Sequence, residues 1–285
     1  SCSPLLATNP QRSRDPTTST HAMTQETRDV CVVGGGVAGL TAAIFTARAG
    51  LDTIVCTTGE SILRRNAHLE NFPGFPRGVN GRALLDLLQD QADRNDVDRR
   101  AAAVTRVEPA DRDRLAVTMD LEGSVEGEGT GATDDGATAE ATVRADFVVC
   151  TSWADTDYLS ACADVGLIDR GSKTFVDVDE RGATDVDGLY AAGRIAGTHH
   201  QAIVAAGDGA TVGLSVIEDS EVPFYHDWVA PEGYFTDRDR EVPPGCEEID
   251  EAERRAREDA SLAAIRDAFA DPHPDEPTPH PSLTD

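Results

Sequence analysis

The first residues that could do chemistry form a glycine-rich turn between a strand and a helix. Gly34, Gly36 and Gly39 follow the spacing G-x-G-x-x-G within VVGGGVAGL, residues 32–40. In such a turn, the first glycine permits a tight bend, the second lets a pyrophosphate approach the backbone, and the third lets the helix pack on the strand. The helix N-terminus then offers free N–H groups and partial positive charge to phosphates. We therefore predict a dinucleotide-binding turn.

A second segment, GLYAAGRIAGTHHQAIVAAGDG at residues 188–209, repeats this order of strand, glycine turn and helix. Its turn lies at Gly193, Arg194 follows directly, and His199 and His200 precede the helix. A domain that binds NAD alone has no need of such a second turn, so NAD binding is the less favoured alternative. We predict that both turns contribute to one cofactor pocket.

The elements that must position these turns follow from the apolar pattern. Residues 29–50 read as a buried strand and an alanine-rich helix that ends at Gly50, and residues 51–59 read as a second buried strand. Short strands follow between a helix at 80–95 and a helix at 200–218. This order predicts an α/β fold, namely a Rossmann-like domain with a parallel sheet and a small antiparallel β-meander.

The second strand lacks the acidic residue that usually binds the ribose of a dinucleotide. Cys56, Thr57 and Thr58 stand where that acid is expected, about 20 residues after the motif. Glu60 comes slightly later and is one candidate for the role. The hydroxyl groups of Thr57 and Thr58 are the other candidates.

Charge and cysteine content restrict the possible partners and the compartment. The chain has 52 acidic and 25 basic residues, a formal net charge of -27, and Lys173 as its single lysine. Such a surface repels nucleic acid and anionic membranes and is typical of halophilic proteins, although an acidic docking face is an alternative. Six cysteines without a CxxC spacing favour a reduced, cytoplasmic compartment. The first 22 residues lack the apolar stretch of a signal peptide, and Met23 is a possible start.

The composition divides the chain into four predicted parts. They are a disordered N-terminal extension (1–27), a split cofactor domain (28–220) with an acidic hairpin insertion (122–140), an aromatic segment and C-terminal helix packing on the domain (221–271), and a disordered tail (272–285). The C-terminal helix is predicted at about 247–270, and its rough apolar stripe, which includes Leu262 and Ile265, is expected to pack on the domain.

Three motifs in order, VVGGGVAGLTAAIFTARAG, LENFPGFP and GLYAAGRIAGTHHQAIVAAGDGA, resemble the thioredoxin reductase-like flavoproteins of the class II pyridine nucleotide-disulfide oxidoreductases. The resemblance covers roughly residues 28–218 and implies FAD as the cofactor, with Asn71 near the flavin. It also implies that Gly34, Gly36, Ala38 and Gly39 line the pyrophosphate, that Gly193 borders the ribitol phosphate, and that Gln201 and Ala202 lie at the pyrimidine end of the flavin. Gly35, Glu60 and Arg194 complete the predicted cofactor-binding residues.

The chain departs from that family in three respects. The family has Asp directly after AAG, where its carboxylate accepts a hydrogen bond from the ribitol. Arg194 cannot accept this bond, although it could pair with the pyrophosphate. The family also inserts a nicotinamide-binding domain with its redox CxxC, and residues 151–172 leave no room for one. The resemblance thus implies no thioredoxin reductase mechanism.

We predict a single-domain FAD-binding oxidoreductase that exchanges electrons with an external donor or acceptor, such as ferredoxin, NAD(P)H or a small redox protein. The alternative is a catalytically inactive flavin- or dinucleotide-binding regulatory module. His200 is a candidate proton donor, no metal site is predicted, and a homodimer is possible. We also expect the aromatic residues of 221–235 to cover the exposed face of the flavin.

Overall fold

The computed structural model describes residues 26–59, 61–111, 114–121, 139–280 and 283. Within them lie the strands β1 (Glu26–Val33), β2 (Thr53–Thr57), β3 (Asp98–Pro109), β4 (Leu115–Leu121), β5 (Ala139–Cys150), β6 (Leu167–Arg170), β7 (Lys173–Val176), β8 (Leu189–Ala191), β9 (Trp228–Pro231) and β10 (Cys246–Ile249). The helices are α1 (Val37–Arg48), α2 (Gly81–Arg94), α3 (Ala202–Asp219) and α4 (Glu251–Ala268). The helices predicted at 80–95 and 200–218 correspond to α2 and α3, whose bounds differ from the prediction by at most two residues.

One sheet combines a parallel part and an antiparallel meander. β1 pairs in parallel with β2 and β5, β3 extends the parallel part beyond β2, and β8 extends it beyond β5. The second half of β3 pairs antiparallel with β4, which in turn pairs antiparallel with β5. The predicted α/β fold with a parallel sheet and a small antiparallel meander is confirmed.

The central strand, β1, is buried on both faces because each face is covered by a different layer. Val30 and Val32 point to the layer that contains α1, α2 and α3, whereas Cys31 and Val33 point to the layer beneath the meander. α3 packs directly on α1, and a Cβ at Gly209 would lie 2.2 Å from the backbone oxygen of Ala38. Glycine at this position therefore lets the two helices approach closely.

An ion-pair network fastens the start of β1 to β3. Glu26 accepts hydrogen bonds from Arg100 (2.8 and 2.9 Å) and Arg28 (2.6 Å), and Arg28 also pairs with Asp52 (2.8 Å) and Asp98 (2.7 Å). The Arg100 hydrogen bond, with the help of Arg28, lowers the pKa of Glu26 to about 2 against the opposing effect of partial burial. The network thus links the N-terminal ends of β1 and β3, which lie on either side of β2 in the sheet.

The C-terminal segment departs from the sequence prediction in two ways. The helix begins at Glu251 rather than near residue 247, because residues 246–249 form β10 and pair in parallel with β9. The apolar stripe expected to pack on the domain is instead exposed, with Leu262 and Ile265 at 47% and 46%. The helix is stabilised by ion pairs four residues apart, of which Glu253–Arg257 is one.

The predicted insertion and tail have different outcomes. Residues 122–138 of the expected acidic hairpin and residues 1–25 of the expected extension lie outside the described residues, while Leu121 and Ala139 are register partners of β4 and β5. The tail that is predicted to be disordered contacts the domain. His273 Nε2 lies 2.9 Å from Asp86 Oδ2, and the Thr278 N–H donates to the backbone oxygen of Arg64. Across the described ranges, every helix is too short or too polar to cross a membrane.

Candidate functional site

A cleft of about 760 Å³ opens at the carboxyl ends of the parallel strands β1, β2, β5 and β8. This edge is where open α/β sheets bind their ligands. Both glycine turns line the cleft, and a Cβ at Gly193 would lie 2.9 Å from the Cβ of Ala38. The structure therefore brings the two predicted turns together. Of the predicted residues it also places Gly34, Gly35, Gly36, Asn71, Arg194, Gln201, Ala202 and His200 in the lining.

The three glycines of the first turn differ in why the structure needs glycine at each position. Gly34 has a φ of +113°, a conformation that L side chains rarely adopt. A Cβ at Gly39, which lies behind the cleft, would be 2.0 Å from the backbone oxygen of Gly34. Gly36 has no atom within 4 Å of the position of its missing Cβ. Packing requires Gly39 and backbone conformation requires Gly34, whereas packing within the protein leaves Gly36 free of any such constraint.

The N-terminus of α1 is open towards an anion. Gly36 is its N-cap residue, no side chain caps the helix, and its first turn carries no acidic residue. The first N–H groups of a helix lack partners within the helix and carry partial positive charge. Thr151 holds the preceding turn in place, because its Oγ1 donates to the backbone oxygens of Val33 and Gly34 at 2.9 Å each. The turn is thus held in a fixed position at the uncapped N-terminus of α1.

The second turn is fixed by an acid that the sequence analysis missed. Gly193 has a φ of +77°, and its N–H donates to Oδ2 of Asp208 at 2.5 Å. Burial raises the pKa of Asp208, although the hydrogen bond from Gly193 acts in the opposite direction. Asp208 lies in AAGDG on α3, and no signal in the sequence alone links it to a residue 15 positions upstream. A carboxylate from α3 therefore contacts the backbone of this turn.

Arg194 occupies the position directly after that glycine. Its guanidinium carbon lies 5.0 Å from the ring centroid of Phe175, which is a cation–π contact. One guanidinium nitrogen also lies 3.5 Å from the backbone oxygen of Thr198. The positive charge is thereby kept at the rim of the cleft.

The start of α3 meets the loop that carries Asn71. Gln201 is the N-cap residue of α3, and its Oε1 accepts a hydrogen bond from Nδ2 of Asn71 at 2.5 Å. Neither a capping side chain nor an acidic residue occupies the first turn of α3. Two residues that the resemblance assigns to the flavin end of the cofactor are therefore in direct contact, beside a second positive helix end.

His200 lies beside this helix end and against an aromatic ring. Its ring centroid is 4.4 Å from that of Trp153, with the planes at 78°. Partial burial, assisted by the positive charges of Arg194 and Lys173, lowers the pKa of His200. The neutral imidazole is thus favoured in this cleft. Trp153 was missed by the sequence analysis, which considered only the histidines.

At the carboxyl end of β2, the cleft is lined by Cys56, Thr57 and Thr58. The hydroxyl of Thr57 accepts a hydrogen bond from the N–H of Gly59 at 3.1 Å, and a Cβ at Gly35 would lie 2.8 Å from Thr57. Glu60, the other candidate for the ribose, lies outside the described residues. Thr57 and Thr58 keep their place as ribose candidates.

Buried thiols near the cleft have the properties of core residues. Cys31 Sγ lies 3.9 Å from Cys56 Sγ, and both side chains are buried. Burial raises the pKa of Cys150 to about 12. The Cys150 thiol therefore stays protonated at neutral pH, whereas the thiolate is the reactive form of cysteine. In the described part of the chain, no group of three or more His, Cys, Asp or Glu side chains could hold a metal ion.

The aromatic segment 221–235 does not line the cleft, which contradicts the expectation that it covers the flavin. Its Trp228 packs on Tyr234 at 4.5 Å between ring centroids. The segment is tied instead to the C-terminal end of α1, where Arg48 pairs with Asp227 at 2.5 Å. The aromatic residues of this segment thus pack on one another. Together with the paired strands β9 and β10 they form a small C-terminal module on the side of the domain.

Comparison with known proteins agrees with this geometry. The family model of the FAD binding domain matches residues 29–69. The thioredoxin reductase of Streptomyces coelicolor is 42% identical over 72 residues, which span 24% of this chain and 22% of that protein. The thioredoxin reductase of Aquifex aeolicus is 44% identical over 66 residues, which span 22% of this chain and 20% of that protein. The matched segment thus represents about a fifth of the length of these relatives.

Solved structures extend the likeness of the fold to most of the chain. A thioredoxin reductase from Gloeobacter violaceus aligns with a TM-score of 0.56 at 17% identity, covering 71% of this chain and 100% of the other. A ferredoxin-flavin thioredoxin reductase from Clostridium acetobutylicum aligns with a TM-score of 0.50 at 15% identity, covering 68% and 98%. Together with the family match, these findings confirm a thioredoxin reductase-like, FAD-binding α/β fold.

Proposed function

We propose that this chain is an FAD-binding oxidoreductase that passes electrons through its bound flavin between external partners. The observation that carries the proposal is the contact between the two glycine turns. A Cβ at Gly193 would lie 2.9 Å from the Cβ of Ala38, so both turns border one cleft. A single glycine turn suffices to bind NAD. Two facing turns instead suit a longer cofactor such as FAD, which both turns would hold.

The residues present fit FAD. The cleft of about 760 Å³ lies within the range of cofactor sites. The open space at Gly36 and the uncapped start of α1 suit the pyrophosphate, and Thr57 and Thr58 are the hydroxyl groups available to the ribose. Asn71 and Gln201 supply amide groups at the opposite end.

When bound, the flavin would accept and donate electrons. The N-terminus of α3 would then stabilise negative charge on the reduced ring, because a helix N-terminus carries partial positive charge. The first turn of α3 contains no carboxylate that would oppose this effect. His200 stays a candidate proton donor, and its lowered pKa reduces its protonated fraction at neutral pH.

The electron donor in this proposal is external. Only residues 151–172 separate β5 from β7, and they contain a short helical turn and β6. This length is well below the roughly 50 residues of a small domain, which supports an external donor rather than a nicotinamide-binding domain inserted there. Reduced ferredoxin and free NAD(P)H are the donor classes we propose, and a ferredoxin-flavin enzyme is among the proteins that share the fold. Since the chain has no CxxC, we propose no internal disulfide as acceptor.

The test is reconstitution of the full chain, purified in concentrated KCl, with FAD. We expect stoichiometric binding, flavin absorption bands that bleach with dithionite, and their return in air. Reduced ferredoxin, NADH and NADPH are then offered separately as donors under anaerobic conditions. A chain that binds NAD but not FAD, or that binds neither, would overturn the proposal, and so would bound FAD that no donor of either class reduces.

A further inference from the structure

Trp153 and His200 close one flank of the cleft. Trp153 follows the end of β5 and His200 precedes α3, so their contact joins two separate walls. Both residues line the cleft, and Trp153 is 37% exposed. The ring of Trp153 therefore presents an aromatic surface to the space between the glycine turns and α3.

The backbone of Trp153 is held in an unfavourable conformation. Its φ is +63°, a region that bulky L residues rarely adopt. The residues before it are fixed: Thr151 donates to two backbone oxygens, and the hydroxyl of Ser152 lies 2.7 Å from that of Tyr158. A strained residue persists only where its surroundings fix it, and such residues concentrate at ligand sites. No packing requirement of the core explains an exposed indole in this position.

The other tryptophan provides a contrast. Trp228 is also 37% exposed, but it packs within the C-terminal module on Tyr234 and Phe235. Trp153 makes its ring contact with His200 alone among the described residues. Contacts within the C-terminal module explain the position of Trp228, whereas the ring of Trp153 lies at the lining of the cleft.

We propose that Trp153 is a binding residue for the planar ring system of the flavin, held in position by His200. This inference rests on the proposed function, because it requires FAD in the cleft. His200 adjoins Gln201, so the indole lies at the end of the cleft that carries the amide pair of Gln201 and Asn71. Aromatic rings attract each other beyond the effect of buried area. An indole in contact with a flavin also quenches the fluorescence of the flavin by electron transfer.

The test compares the emission of bound FAD in Trp153→Leu with that in Trp228→Leu, the matched control. We expect weak emission in the wild type and the control, and a several-fold stronger emission per bound FAD in Trp153→Leu. The Kd of Trp153→Leu for FAD should rise about 2- to 10-fold, as expected for the loss of one aromatic pair.

A second variant separates this role from folding. Trp153→Asn removes the indole but suits a positive φ, so it should melt no lower than the wild type and still show the stronger flavin emission. Unchanged emission in both Trp153 variants, with FAD bound stoichiometrically, would overturn the inference and leave the proposed function intact. Failure of the wild type to bind FAD would overturn both.

Discussion

The Gly36→Ala variant tests whether Gly36 is required for FAD binding rather than for the stability of the fold. Gly36 has a φ of -85° and a ψ of -170°, which alanine adopts without strain, and nothing lies within 4 Å of the added methyl group. Its one structural role is that of N-cap residue of α1. Alanine is a poorer N-cap residue than glycine, so we expect the free energy of unfolding to fall by only about 0.5 kcal/mol.

The effect on FAD should be much larger. The methyl group would occupy the space through which a pyrophosphate approaches the N–H groups at the start of α1. A hydrogen bond to a charged group contributes about 1.5–3 kcal/mol, so loss of one such bond raises the Kd for FAD about 10- to 150-fold. The variant should therefore be stable but bind FAD weakly.

The assay is an FAD titration followed by flavin absorbance, with thermal melting of the same sample. Gly207→Ala is the matched control, because Gly207 is exposed on α3 and also has no atom within 4 Å of its missing Cβ. The control should gain about 0.5–1 kcal/mol of stability, since glycine is unfavourable within a helix, and should keep the wild-type Kd. Wild-type affinity in Gly36→Ala would refute the assignment of this turn to the pyrophosphate.

Three further predictions concern the frame around the cleft. Gly209→Ala places a methyl group 2.2 Å from the backbone oxygen of Ala38 and should cost about 1–3 kcal/mol in chemical denaturation; an unchanged midpoint would contradict this close packing of helices. Asp208→Ala leaves the N–H of Gly193 without its acceptor and should cost about 1–3 kcal/mol, with Asp208→Asn closer to the wild type. Because the pKa of Glu26 is lowered to about 2, its contribution is complete above the ordinary value of 4.5 and is lost as the pH falls towards 2. Between about pH 5 and about pH 3, Glu26→Gln should therefore lose about 1 kcal/mol less stability than the wild type, and equal losses would contradict the role of the ion pairs.

The fold and the two turns could be predicted from the sequence because their signals are local. The spacing of Gly34, Gly36 and Gly39 between an apolar strand and a helix fixes the turn by the geometry of a few consecutive residues. The facing position of Gly193 followed from a second strand–turn–helix and from the family resemblance. In each case the residue types alone restrict the backbone.

The rest could not be predicted because it depends on contacts between distant residues. Asp208 reaches Gly193 only because α3 folds back on α1, and the positive φ of Trp153 occurs two residues after Thr151, which is hydrogen-bonded to Val33 of β1. The start of α4 is a different case, since a local signal existed. The side chain of Asp250 accepts from the N–H of Glu253 at 2.8 Å, and Asp followed three residues later by Glu is a helix-start pattern. That pattern places the start of the helix at Glu251 rather than near residue 247.

The charges around Gly193 give the cleft a local potential that differs from that of the whole protein. The chain carries a net charge of -27, which opposes the approach of an anionic cofactor at long range. At the cleft, Arg194 on the ring of Phe175 and the uncapped helix starts contribute positive charge, while the hydrogen bond from Gly193 occupies the nearby carboxylate of Asp208. Salt screens the distant charges more strongly than these short contacts, because the Debye length at 1 M is only about 3 Å. An arginine in place of the family's aspartate is therefore compatible with binding of a pyrophosphate in a chain that is otherwise strongly acidic.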